Sequence, residues 1–84
     1  MNVRVHITPK EGILDPQGAT VERALPALGF QGVSGVRIGK FIELAYEPPA
    51  GTTAEQARAH IDEMCRKLLA NPIIEDFTFE LDEG

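Results

Sequence analysis

Three side chains in this sequence are of the soft kind that ligates transition metals or attacks a carbonyl carbon: His6, His60 and Cys65. Their spacing fits none of the patterns by which Cys and His hold zinc. Cys65 has no identifiable base beside it and falls on the apolar stripe of a helical segment, where burial raises a thiol's pKa and keeps it inert. His6 projects from the polar side of an alternating segment, which suits a solvated or interface histidine. Asp15-Pro16-Gln17-Gly18 has the look of a motif, yet an N-cap Asp and a first-turn Pro account for it without a ligand. Gly35, Gly39 and Lys40 invite comparison with a phosphate loop. The G-x-x-x-x-G-K-S/T spacing and the helix that must follow it are both missing. Lys40 reads better as a turn residue or a strand-edge charge. The carboxylates near the C-terminus alternate with aromatic residues, which makes them the wet face of a strand or a surface for a basic partner rather than a catalytic pair. The residues thus offer no catalytic constellation.

The elements that position these groups can be read from periodicity. Residues 2–8 alternate, with Val3, Val5 and Ile7 on one side and Arg4, His6 and Thr8 on the other, as in a strand with one buried face. Asp15 and Pro16 open a helix that runs to about Leu28, with Val21, Leu25 and Leu28 at helical spacing and Gly29 as its left-handed stop. Pro26 removes one hydrogen bond, so the last turn must bend or tighten. In residues 33–46, Val36, Ile38, Ile42, Leu44 and Tyr46 share one parity, and Lys40 interrupts the row. Either a single long bent strand or two strands joined by a Gly39-Lys40 hairpin would satisfy this pattern. The long strand would measure ~46 Å, more than so small a domain can cover, and so implies a dimer.

Thr52 and Glu55 have the form of a capping box ahead of the clearest helix in the sequence. Its stripe is Ala54, Ala57, Ile61, Met64, Cys65, Leu68 and Leu69, with Asp62–Arg66 and Glu63–Lys67 pairs on the wet side. Nineteen residues would give a rod of ~28 Å, ended by Asn71-Pro72. Residues 73–81 form the last strand, with Phe77, Phe79 and Leu81 inward. The order β-α-β-(long bent strand or hairpin)-α-β predicts an α+β fold: an antiparallel sheet with two helices on one face, related to the ferredoxin-like arrangement, with right-handed crossovers in its βαβ-like halves.

The 84 residues make room for one small domain, 1–84, and exclude a large enzyme with a private deep cleft. The 13 acids and 8 bases give a net charge of -5. Five of the acids, Glu75, Asp76, Glu80, Asp82 and Glu83, lie at the C-terminal end, where there is no base. That sign disfavours nucleic acid as a partner. A single cysteine, no apolar signal core in MNVRVHIT and no long apolar run predict a cytoplasmic protein with no membrane association. A core this small points to oligomerisation or docking onto larger subunits.

Three segments, taken in order, resemble one family: Gly12-Ile13-Leu14-Asp15-Pro16-Gln17-Gly18; Val36-Arg37-Ile38-Gly39-Lys40-Phe41-Ile42-Glu43-Leu44; and Met64-Cys65-Arg66-Lys67-Leu68-Leu69-Ala70-Asn71-Pro72-Ile73-Ile74-Glu75-Asp76-Phe77. They look like the PurS subunit of phosphoribosylformylglycinamidine synthase, over essentially the whole chain. The resemblance implies a complex of de novo purine synthesis in which a PurQ-type glutaminase releases ammonia. A PurL-type synthetase uses ATP and magnesium to convert formylglycinamide ribonucleotide to its amidine. It further implies that this chain binds no cofactor and has no catalytic centre. Its expected part is to dimerise, or form a higher homo-oligomer, through shared sheets and to bridge the two larger subunits. Arg37, Lys40 and Glu75, charged members of the family-like segments, are the candidate partner-interface residues. Two other classes fit the same elements: a regulatory domain binding a small molecule at a dimer interface, and an α+β RNA-binding module with Phe41 on an exposed sheet face.

Overall fold

The computed structural model describes residues 1–82. Glu83, counted above in the acidic end, lies outside the described residues. Strand β1 (Asn2–Pro9) pairs antiparallel with both β2 (Lys40–Ala45) and β3 (Glu75–Asp82), so the sheet order is β2-β1-β3. The register sets Val5 opposite Ile42 and Phe79, and Val3 opposite Leu44 and Leu81. Alternation in all three strands therefore collects the apolar side chains on one face, the outcome that a period of two demands. Val3, Val5 and Ile7 are fully buried at its centre.

That face is covered by helix α2 (Ala54–Met64) and the π-helical turn Cys65–Leu69 that continues it. Ala57, Ile61, Cys65 and Ala70 are buried, and all but Ala57 join the β1 residues in one core cluster. The expected Asp62–Arg66 and Glu63–Lys67 pairs form, at 2.7 and 2.6 Å. The cap is one residue later than the sequence suggested: Thr53 accepts from the Gln56 N–H while the Gln56 side chain accepts from the Thr53 N–H. Thr52 instead closes a turn on the Pro49 carbonyl. The π turn also corrects the stripe. A turn with i→i+5 bonds advances less per residue than an α-helix, so Leu68 rotates off the core to 84% exposure while Ala70 enters it.

The second extended region departs from both forms considered. It is neither one long strand nor a hairpin: β2 begins at Lys40, and residues 33–39 lead into it without a strand partner. Gly35, at φ 69, turns the chain within that lead. Gly39–Lys40 is not a hairpin turn, because Gly39 lies against β1, where a Cβ would sit 1.9 Å from the Ile7 carbonyl oxygen. Strand β3 likewise starts two residues after the expected position, since Ile73 and Ile74 belong to the turn in which the Asn71 carbonyl accepts from the N–H groups of Ile74 and Glu75.

Helix α1 (Pro16–Ala27) begins at the Asp15 cap and Pro16 as expected. Pro26 does tighten its end: the Leu28 and Gly29 N–H groups bond to the carbonyls of Leu25 and Pro26, three residues back. Gly29, at φ 97, ends it in the left-handed region. The helix contributes no side chain to the core cluster, and Val21 and Leu28 on its apolar stripe are exposed. Only the β2-α2-β3 half is a βαβ unit, because β2 and β3 both oppose β1 and so run parallel to each other. The molecule measures 55 × 28 × 15 Å.

Candidate functional site

One end of the sheet gathers all three residues singled out from the sequence. Glu75 opens β3 opposite Pro9, and Lys40 opens β2 opposite Ile7, so the two flank the last residues of β1. Their side chains meet across that strand, Lys40 Nζ lying 3.5 Å from Glu75 Oε2. Glu75 Oε1 also accepts from the Asn71 N–H at 2.7 Å, which fixes the turn leading into β3. The Glu75 side chain is mostly covered, whereas Lys40 is exposed. Arg37 donates from Nη1 to the Pro9 carbonyl at 3.0 Å and is otherwise exposed.

Two carboxylates of the α1 region hold the chain that carries Arg37. Asp15 Oδ1 accepts from the Gly18 N–H at 3.1 Å, the expected cap, and Oδ2 accepts from the Ile38 N–H at 2.8 Å. These bonds, Ile38 foremost, hold the Asp15 carboxyl below the ordinary carboxylate range. Glu22 Oε1 accepts from the Val36 N–H at 3.0 Å. The N–H groups of alternate residues, which in a sheet would bond to a neighbouring strand, are thus bonded to two side chains. Gly18 is required at this junction: a Cβ there would lie 2.3 Å from Asp15 Oδ2 and 2.5 Å from the Val36 carbonyl oxygen. The Asp15-Pro16-Gln17-Gly18 run is therefore explained by local and long-range backbone bonding. Glu22 was missed from the sequence, which carries no local sign of a partner fourteen residues away.

The other residues considered for chemistry stay apart. Cys65 is fully buried, and desolvation pushes its thiol pKa up, with Asp62 adding to the effect. His6 is on the open face of the sheet, 3.1 Å from Glu80 and with its ring 5.0 Å from that of Phe41. His60 bonds to the Tyr46 hydroxyl at 2.7 Å beside an apolar groove of ≈ 540 Å³ between β2 and the π turn. No group of three His, Cys, Asp or Glu among the described residues could hold a metal ion. Phe41 is 53% exposed. Strand parity sets Glu43, Glu80 and Asp82 on the same face with Arg4 and His6, which is not the basic field that RNA stacking needs. No helix among the described residues is long and apolar enough to cross a membrane.

This geometry agrees with what comparison with known proteins finds. Residues 2–83 match the family model described as PurS: Phosphoribosylformylglycinamidine (FGAM) synthase. The phosphoribosylformylglycinamidine synthase subunit PurS of Synechocystis is 47% identical over 78 residues, covering 93% of this chain and 75% of that protein. The crystal structure of Bacillus subtilis PurS superposes with a TM-score of 0.80 at 41% identity, over 98% of both chains. A chain in the structure of PurLQS from Thermotoga maritima gives 0.72 at 26% identity, over 94% of this chain and 93% of that one. Sequence and backbone agree over nearly the full length, and the chain belongs to the PurS family of phosphoribosylformylglycinamidine synthase subunits.

Proposed function

We propose that this chain is a non-catalytic bridging subunit of a phosphoribosylformylglycinamidine synthase complex. The observation that carries the reading is its likeness, over almost its whole length, to a chain of the PurLQS assembly of Thermotoga maritima. In this reading a PurQ-type glutaminase supplies ammonia, and a PurL-type synthetase uses ATP and magnesium for the amidation. The present chain binds neither cofactor and holds the two enzymes in register in the cytoplasm. The site fits that division of labour: Asp15, Glu22 and Glu75 are engaged with backbone N–H groups, and Lys40 with Glu75, so these groups position chain segments rather than face a substrate. The exposed charges of Arg37 and Lys40 belong to the surface offered to a larger subunit.

A second copy completes the molecule. The chain from the end of α1 to residue 39 exposes Leu28, Phe30, Val33 and Ile38 outside the core, and a dimer in which this segment covers a partner's sheet would bury them. Reconstitution tests the bridging role. The two large subunits with this chain should carry out the glutamine-dependent reaction, and without it they should retain only the reaction fed with ammonia. Full glutamine-dependent turnover in its absence would refute the role. Alanine at Arg37, Lys40 and Glu75 should weaken assembly, and unaltered assembly would remove those residues from the interface.

A further inference from the structure

Tyr46 donates its N–H to the Met1 carbonyl at 2.9 Å, in line with the register of β1 and β2, so the even-numbered residues of β2 turn their N–H groups toward β1. Val36 and Ile38 have the same parity. β1 ends at Pro9, and beyond it Asp15 Oδ2 and Glu22 Oε1 accept from the Ile38 and Val36 N–H groups at 2.8 and 3.0 Å. The two half-buried carboxylates thus continue, from the α1 side, the line of acceptors that β1 supplies to β2.

Arg37 is the residue between these two bonds. Its backbone is held on both sides, and the neighbouring approaches leave no slack: no Cβ fits at Gly18 under the Val36 carbonyl, nor at Gly39 against Ile7. The side chain is oriented too, since Nη1 donates to the Pro9 carbonyl at 3.0 Å. That bond leaves the Nε and Nη2 edge of an exposed guanidinium unspent. Arg37 has no carboxylate within ion-pair distance among the described residues. A cavity of ≈ 530 Å³ beside it is lined by the charged residues Lys10, Glu11, Asp15 and Glu22 as well as Arg37. Lys10 is paired with Asp76 at 2.6 Å, Asp15 and Glu22 are bonded to backbone, and Glu11 is exposed. Three carboxylates against two cations make a poor field for a phosphate dianion, whereas one planar fork matches one carboxylate.

We infer that Arg37 docks a carboxylate of a larger subunit, and that Asp15 and Glu22 are positioning residues that hold the backbone on either side of it. A guanidinium fixed before contact loses less freedom on binding, which is what the two carboxylates contribute. The inference deepens the bridging reading by giving the chemistry of one contact, and it rests on that reading for the existence of a partner.

The test uses the full chain with the two large subunits, and affinity is measured for each variant. Arg37→Ala should weaken assembly by about tenfold or more, with Arg37→Lys falling between it and wild type because it keeps the charge and loses the fork. Glu22→Ala should weaken assembly several-fold, and Glu22→Gln, which keeps an acceptor for the Val36 N–H, should restore it. In the Arg37→Ala background Glu22→Ala should add nothing further, because Glu22 acts through Arg37. Circular dichroism of each variant checks that the fold is kept. The Arg37→Lys complex is then treated with a water-soluble carbodiimide, which joins an amine to a carboxyl group in contact with it. Mass spectrometry should find position 37 linked to an Asp or Glu of a large subunit. A link to Glu11 of the same chain or to another copy instead, additive losses in the double variant, or affinity unchanged by Arg37→Ala would each overturn the inference. Those results leave assembly of the wild-type chain intact, whereas its failure to assemble at all would remove the bridging reading as well.

Discussion

Asp15 was legible as a helix cap because the type of residue and the following proline define the position locally. Its second role was not, because the Ile38 N–H that Oδ2 accepts from is twenty-three residues away and nothing local marks it. The two bonds make a prediction about pH. Since they lower the pKa in the folded state, the stability they add is fully present above the unfolded value of 3.8 and is lost as pH falls through the depressed folded value. Asp15→Asn should remove that acid-side dependence, while Asp15→Ala should also speed amide exchange at Gly18 and Ile38 several-fold at neutral pH. Native-state hydrogen exchange across an acid series checks both, and equal pH profiles for wild type and Asp15→Asn would show that the carboxylate is not what ties α1 to its neighbour. The glycines were harder to read. Gly39 was read as a possible hairpin turn and Gly18 gave no turn signal; in the fold a Cβ at Gly39 would meet the Ile7 carbonyl oxygen, and one at Gly18 the Asp15 carboxylate and the Val36 carbonyl oxygen.

Among the elements, β1, β2 and β3 followed from alternation, and α2 from its stripe and its i,i+4 pairs. The error in α2 lies where the helix changes its winding. Periodicity assumes a constant angle per residue, so a single π turn displaces every later position, and Leu68 was assigned to the core in place of Ala70. Stability measurements separate the two assignments. Ile61→Ala should cost about 2–5 kcal/mol as a large buried side chain is removed, whereas Leu68→Ser should change the unfolding free energy by less than about 0.5 kcal/mol, as an exposed site does. A comparable loss for both would restore the regular helix. Residues 33–39 failed for another reason: strand-like composition does not supply a neighbour, and within one chain the N–H groups of Val36 and Ile38 are satisfied by carboxylates instead.

At the scale of the whole molecule, the order of the periodic segments pointed correctly to an α+β fold, and the three family-like segments placed it among PurS chains, but the 55 Å extent of the molecule was not foreseeable. A 55 Å extent with α1 outside the core describes a protomer that exposes more apolar surface than its size warrants. Sedimentation should give a dimer or larger species at micromolar concentration, and a monomer there would contradict the shared-sheet arrangement. The acidic end is tested together with its partners: neutralising Glu80 and deleting residues 82–84 should flatten the salt dependence of complex formation, and an unchanged slope would make the end a feature of solubility. The sheet order has one more consequence, for synthesis. The middle strand is the earliest to be translated, and its pairing runs from Asn2 opposite Asp82 to Pro9 opposite Glu75. While the ribosome extends the chain, Val3, Val5 and Ile7 must therefore wait without their final cover until residue 82 has emerged. Closing the sheet is therefore tied to the emergence of β3, and the pairing of the first strand with the last is the most non-local and slowest contact the fold has to make.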